Sequence, residues 1–252
     1  MRRGRRAILI ASMLMLLAAS LALVPASVVA SSSGGSSDGN SVSPTGLLPG
    51  DIILGNTPKT WSSKLIPGEY SHAMMYCGTV KSGEKIWDRT NSRWMPVGEH
   101  YIIHSAPRDD DDKDGLGYDT WQTVVNSYDN VVVLRVLKPG GQRLTATERT
   151  NVVNVLKSKL SGGTDGYPVG PKYDSNWLSK KTDPPYYCSE AVWAAYKTQL
   201  GIDLDSDTSP FNIGVSPDDL LKSQFTSVIA AEVGSDTWSP VSGVYKLSLI
   251  HI

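Results

Sequence analysis

Four short apolar runs, each bounded by glycine, proline or polar residues, limit the folded part of this chain to an architecture that contains a sheet. They lie at residues 52–54, 72–77, 101–105 and 130–137, and a fifth is predicted at 244–250. Short runs of apolar, β-branched and aromatic residues between such turn signals are typical of strands. The sequence therefore predicts several short strands separated by long connections.

Three helices are predicted in the second half of the chain. Thr145 and Glu148 have the spacing of a capping box, and an apolar face follows them. A second helix is predicted at 188–200, closed by Gly201, and a third begins at Ser216-Pro217. With 252 residues, 40% of them hydrophobic, the chain can bury a core of ordinary size. The pattern predicts one domain of mixed α and β structure.

Residues 1–30 have the features of an export signal. Four arginines precede an apolar stretch at 7–24, and small residues follow it up to Ala30. A retained membrane anchor is the alternative, because the stretch is long enough to span a bilayer. The Ser/Gly-rich residues 31–45 predict a flexible linker, which leaves 46–252 for the folded domain. Both interpretations place that domain outside the cytoplasm, either secreted or anchored through residues 7–24.

The charge balance excludes one class of partner. Without the four N-terminal arginines the chain has 20 basic and 25 acidic side chains, a net charge of −5. A domain of this sign lacks the basic patch that nucleic-acid binding requires, so we expect no nucleic-acid partner. Two cysteines are too few for a disulfide scaffold or a zinc site built from cysteines. We expect a monomer.

Cys188 is the best candidate for a reactive group, because it is predicted to begin a helix. The unpaired N–H groups and the dipole at a helix start favour an anion, which predicts a lowered thiol pKa. A cysteine nucleophile also needs a base, and the four histidines are His72, His100, His104 and His251. His72 and His104 lie on predicted strands. The spacing alone leaves two interpretations open: a nucleophile facing two histidines, or a buried thiol and two core histidines.

Four segments resemble a known family. Residues 49–54 (PGDIIL), 70–76 (YSHAMMY), 101–106 (YIIHSA) and 186–193 (YYCSEAVW) are similar to the permuted papain-like cysteine hydrolases, the YiiX/YaeF-like branch of the NlpC/P60 superfamily. The order agrees with a permuted chain, since His72 precedes Cys188. The resemblance implies an α+β, circularly permuted papain-like fold, in which an antiparallel sheet packs on helices and the nucleophile lies at a helix N-terminus.

The resemblance also implies roles for three residues. Cys188 would be the nucleophile, His72 the general base, and His104 the polar residue that orients His72. Many relatives have a glutamate at the third position, so His104 is a departure. A neutral imidazole stabilises a neighbouring imidazolium less than a carboxylate does. The implied reaction requires neither a metal nor a cofactor.

Substrate contacts are predicted for Tyr70, Ser71, Tyr187 and Glu190, which flank the proposed base and nucleophile. A role in the turn explains Tyr70 and Ser71 equally well. Glu190 has an alternative role as an acidic partner of the helix dipole.

Two further features have competing interpretations. Asp110, Asp112 and Asp114 match the first ligand positions of a calcium loop, but position 12 is Trp121 instead of glutamate. A solvated acidic turn is the alternative, and we expect no resident metal. A disulfide between Cys77 and Cys188 is disfavoured, because strand alternation turns Cys77 away from His72.

Two classes of function follow from these features. The first is a secreted or surface-exposed thiol hydrolase of the amidase or peptidase type, which cleaves an amide bond through a cysteine thioester. Its substrate would be a peptide, a cell-wall fragment or an acyl amide, and an esterase or acyltransferase would use the same chemistry. The second is a non-catalytic surface module that binds a peptide or acyl chain in the same cleft. Reactivity of the Cys188 thiol distinguishes the two classes.

Overall fold

The computed structural model describes residues 40–56, 69–162, 167–207 and 214–232. The strands are β1 Ile52–Asn56, β2 His72–Thr79, β3 Trp87–Asp88, β4 Arg93–Trp94, β5 His100–Ala106, β6 Gly115–Thr120, β7 Asn130–Val136, β8 Ser161–Gly162, β9 Pro168–Val169 and β10 Thr226–Glu232. The helices are α1 Trp121–Val124, α2 Ala146–Lys157, α3 Cys188–Leu200 and α4 Pro217–Lys222. Six of these strands form one sheet in the order β10-β7-β1-β2-β5-β6, and each neighbouring pair is antiparallel.

Both faces of this sheet are covered. One face, which includes Ala73, Met75 and Ile103, packs against α2, α3 and α4. The other face, which includes Met74 and Ile102, packs against α1 and the segment that follows residue 40. Burial on both faces explains why the central strands read as apolar runs without a clear alternation.

The predicted α+β architecture with an antiparallel sheet is confirmed. The four predicted strands are β1, β2, β5 and β7, and the three predicted helices are α2, α3 and α4. Thr145 and Ser216 each close a capping box, and Gly201 ends α3 with a φ of 68°. The sequence analysis missed β6 and β10, which lie at the two edges of the sheet. The fifth predicted strand, at 244–250, lies outside the described residues, as do residues 1–39.

The folded domain includes residues that the sequence assigned to the linker. The Asn40 side-chain amide donates to the carbonyls of Val125 and Tyr128, at 2.7 and 2.9 Å. Val42 is buried and accepts a hydrogen bond from the Trp121 indole. The prediction of a flexible linker up to residue 45 is therefore wrong for residues 40–45, because specific contacts hold this segment on the sheet. Among the described helices, none has the length and apolar character needed to cross a membrane.

Candidate active site

Cys188 is the first residue of α3, as predicted. Hydrogen bonds tie this end of the helix to its surroundings: Ser105 Oγ donates to the Tyr186 carbonyl at 2.7 Å, and Ser189 Oγ donates to the Val215 carbonyl at 2.6 Å. Ser105 belongs to β5, next to His104. The start of α3 is therefore fixed against the strand that carries one of the two candidate histidines.

The Cys188 sulfur lies beside the start of β2. Against the larger effect of burial, the backbone N–H of Ala73, the Ser189 side chain and the N–H groups of Ser189 and Cys188 each lower the thiol pKa. Because Ala73 directly follows His72, the contact with Ala73 brings the thiol to the backbone next to the predicted base. Cys188 also raises the pKa of the Tyr128 phenol, after the larger effect of burial. The Tyr128 ring stacks on His72, with centroids 6.0 Å apart.

The expected low thiol pKa is not found. Burial raises the pKa of Cys188, and the hydrogen bonds at the helix start offset only part of this effect. Cys188 is 3% exposed, so loss of solvation of the thiolate outweighs the favourable helix end. The Cys188 thiol is therefore neutral at pH 7, and it would need a base to act as a nucleophile.

His72 and His104 are in direct contact. Nε2 of His72 lies 2.7 Å from Nδ1 of His104, and both side chains are buried. His72 is the first residue of β2 and His104 lies in β5, so the pairing of these two neighbouring strands brings them together. The structure thus brings together the two histidines that the family resemblance singled out.

Both histidines are neutral at pH 7. Burial lowers the pKa of His72 well below its usual value, and His104 and Arg89 lower it further. Burial also lowers the pKa of His104 to about 4, against an opposing hydrogen bond to Asp119. A neutral imidazole at His72 is in the correct state to accept a proton.

Asp119 contacts His104 on the side away from His72, and no sequence pattern predicted it. Its Oδ2 lies 2.8 Å from Nε2 of His104 and accepts hydrogen bonds from Arg89 and Arg108 at 2.8 and 3.1 Å. The arginines and His104 hold the pKa of Asp119 far below its usual range, although burial opposes them. No local motif marks Asp119, because it contacts His104 only once β6 pairs with β5. Alternation along β6 does place it on the sheet face opposite Tyr118.

A glycine makes room for the aromatic neighbour of His72. Gly55 in β1 pairs with His72. A Cβ atom at Gly55 would lie 2.6 Å from the Tyr128 ring, closer than such atoms approach. The missing side chain therefore lets Tyr128 cover the base.

The predicted substrate residues are mostly buried. Tyr70 is 1% exposed, and Glu190 is fully buried and accepts from the Lys181 N–H at 2.7 Å. Tyr187 is buried and its hydroxyl donates to the Ser179 carbonyl at 2.9 Å. Ser71 is partly exposed, so it alone of the four predicted residues is not buried. Tyr70, Tyr187 and Glu190 have internal packing or hydrogen-bonding roles, and their contact with a substrate stays a prediction.

The acidic loop at residues 109–115 and Cys77 lie outside the candidate active site. Asp114 accepts hydrogen bonds from the backbone N–H groups of Arg108 and Tyr173, at 3.1 and 3.2 Å. Within the described ranges, no group of three or more His, Cys, Asp or Glu side chains could hold a metal ion. The candidate calcium ligands Asp110, Asp112 and Asp114 therefore do not converge. Cys77 is free and buried in the face that packs on the helices, and burial raises its pKa to about 12.

Comparison with known proteins identifies the family of this chain. No curated protein matches the chain. A solved structure described as the metalloprotein yiiX from Escherichia coli O157:H7 shares 19% identity with it, with a TM-score of 0.49 over 74% of this chain and 98% of that one. The model of a family described as permuted papain-like amidase enzymes, YaeF/YiiX, C92 family, matches residues 47–239. The chain therefore belongs to this family of permuted papain-like cysteine hydrolases.

Proposed function

We propose that the protein is a secreted or surface-exposed amidase that cleaves an amide bond through a thioester on Cys188. The observation that carries this proposal is that the Cys188 thiol, at the first residue of α3, lies near the backbone N–H of Ala73, which directly follows His72. His72 is in turn in contact with His104. We therefore assign Cys188 as the nucleophile, His72 as the base and His104 as the orienting residue.

The contact between the rings of His72 and His104 supports an assignment of the atom that accepts the proton. Because Nε2 of His72 faces His104, Nδ1 is the ring nitrogen left for the thiol. Nδ1 takes the proton of Cys188 as the sulfur attacks the substrate carbonyl carbon. The backbone N–H of Cys188 at the helix start stabilises the resulting oxyanion. The His72 imidazolium then gives its proton to the leaving amine, and the thioester forms.

Water completes the cycle. His72 takes a proton from a water molecule as its oxygen attacks the thioester carbonyl, and the acid is released. The proton returns from His72 to the sulfur, which restores the neutral thiol and the neutral imidazole. An ester substrate would follow the same steps with an alcohol as the leaving group.

Two exposed apolar side chains follow Tyr173, a residue near Cys188, and bear on the choice of substrate. Tyr173, whose phenol pKa is raised by burial and by Cys188, accepts a hydrogen bond from the Trp177 indole at 3.0 Å. Trp177 and Leu178 are 37% and 66% exposed. Exposed large apolar residues near a reactive thiol favour an acyl chain or an apolar peptide side chain as the bound group.

The test compares Cys188→Ala with Cys77→Ala on matched anilides and esters that carry acyl chains or short peptides. Cys188→Ala should abolish hydrolysis and leave the melting temperature close to that of the wild type, whereas Cys77→Ala should keep the turnover of its folded fraction. Mass spectrometry should detect an acyl adduct on Cys188 in the wild type. Activity that survives in Cys188→Ala and disappears in Cys77→Ala would show that Cys77, and not Cys188, is the nucleophile.

A further inference from the structure

Four hydrogen-bond donors and one ring nitrogen of His104 surround the Asp119 carboxylate. Oδ1 accepts from the Thr90 N–H and hydroxyl, at 2.9 and 2.8 Å. Oδ2 accepts from Arg89 and Arg108 and lies 2.8 Å from Nε2 of His104. Only an ionised carboxylate can accept at every one of these positions. Asp119 is therefore an acceptor in all of its contacts, including the one to His104.

This acceptor has a consequence for the histidines. A neutral imidazole carries one N–H, so a proton on Nε2 of His104 leaves a lone pair on its Nδ1. That lone pair can only accept, and Nε2 of His72 lies 2.7 Å away. Nε2 of His72 must then carry its proton, and the lone pair of His72 is left on Nδ1.

We propose that Asp119 is a positioning residue which fixes the tautomers of His104 and His72 and thereby prepares Nδ1 of His72 as the base. Its kinetic part rests on the proposed function. Many relatives have a carboxylate beside the base, and here His104 takes that place. The carboxylate of Asp119 lies on the other side of His104. It stabilises positive charge on His72 through His104.

Arg89 and Arg108 differ in their contacts besides Asp119. Arg89 is buried and also donates to the carbonyls of Lys113 and Gly115, at 3.1 and 2.6 Å, so it fixes the backbone around β6. Arg108 is partly exposed, and its ion pair is with Asp119. Arg108→Gln should therefore leave the tautomers unchanged, since Arg89, Thr90 and His104 remain on the carboxylate.

The test measures tautomers by 15N NMR of the histidine rings in the full chain without substrate. In the wild type, both His72 and His104 should carry the proton on Nε2. Asp119→Asn replaces one carboxylate oxygen by an amide N–H₂ group; where this group faces Nε2 of His104, that nitrogen becomes an acceptor and His72 shifts toward the Nδ1–H form. The kcat should fall by about 10²- to 10⁴-fold with a smaller change in KM. A wild-type His72 protonated on Nδ1 would overturn the proposal without any variant.

Asp88→Asn is the matched control. Asp88 is also fully buried and ionically bonded, but it contacts Asn91 and Arg93 instead of a histidine. It should lower stability without changing the ring tautomers or the kcat of folded protein. Wild-type tautomers and kcat in folded Asp119→Asn would overturn the proposal. Activity in Cys188→Ala would overturn the proposed function alone, since the tautomers are measured without substrate.

Discussion

At the residue scale, the buried site combines a neutral thiol with a neutral base. Because burial raises the pKa of Cys188 and lowers that of His72, neither group is charged at pH 7. In the proposed mechanism, proton transfer must then accompany attack on the substrate, because the resting pair is not a thiolate and an imidazolium.

This charge state predicts two pH profiles. The acid limb of kcat/KM should lie below pH 6.5, because His72 remains a neutral base there. Alkylation of Cys188 by iodoacetamide should instead keep rising above pH 9, where the thiolate begins to form. Peptide mass spectrometry against pH measures the second profile, with Cys77 as an internal control. An alkylation rate that reaches a plateau below pH 8 would contradict the neutral resting state.

His104 provides a second prediction at this scale. Glutamine can accept from Nε2–H of His72 through its carbonyl and donate to Asp119 through its amide, whereas alanine can do neither. His104→Gln should therefore retain more turnover than His104→Ala, and the loss in the alanine variant should stay below about 10⁴-fold. Turnover is measured on the folded fraction, alongside the melting temperature. Equal turnover in the wild type and both variants would remove His104 from the site.

At the element scale, α4 fixes the entry into β2. Asp218 accepts from the backbone N–H groups of Glu69 and Tyr70, both at 3.0 Å, directly before Ser71 and His72. Asp218→Ala removes the acceptor of both hydrogen bonds and should cost about 1–3 kcal/mol of stability and reduce kcat. Asp219→Ala is the control, because Asp219 closes the α4 capping box and should affect stability alone. Equal kcat in the two variants, each measured on folded protein, would contradict the positioning of β2 by Asp218.

The first turn of α3 holds a neighbouring loop in a pH-dependent way. Glu190 accepts from Lys181 N–H and Ser179 Oγ, and burial raises its pKa to about 7. An acid with a raised folded-state pKa costs stability as pH rises from its unfolded value, near 4.5, through about 7. Glu190→Gln should therefore gain stability over the wild type at pH 8 compared with pH 4, as urea unfolding at the two pH values would show. If the stability difference between Glu190→Gln and the wild type were the same at both pH values, the raised pKa of Glu190 would be contradicted.

At the scale of the whole molecule, the buried histidines make the domain sensitive to acid. His104 has a pKa of about 4 when folded and about 6.5 when unfolded, so the unfolded chain binds more protons between these values. Stability should fall by about 3 kcal/mol from this group as pH drops from 7 to 4. In His104→Gln, the free energy of unfolding should depend less on pH between 7 and 4. An unchanged pH dependence in urea unfolding would contradict this role of His104.

The domain boundary gives another test at this scale. If residues 1–30 are removed as a signal, the mature chain should begin near Ser31, and limited proteolysis should cut before Asn40 but leave residues 40–45 intact. N-terminal mass spectrometry of the secreted and membrane fractions measures both. Intact residues 1–30 in the membrane fraction would favour the anchor, and rapid cutting at 40–45 would contradict the packing of Val42.

The sequence by itself determined the elements that local chemistry specifies. Capping residues placed α2 and α4, Gly201 ended α3, and the apolar runs placed the central strands. The family motifs singled out Cys188, His72 and His104, because these residues stand beside recognisable local patterns. Tertiary structure decided the rest. Asp119 joins His104 only through strand pairing, and burial sets the charge of Cys188, His72 and His104 more strongly than their positions in a helix or strand.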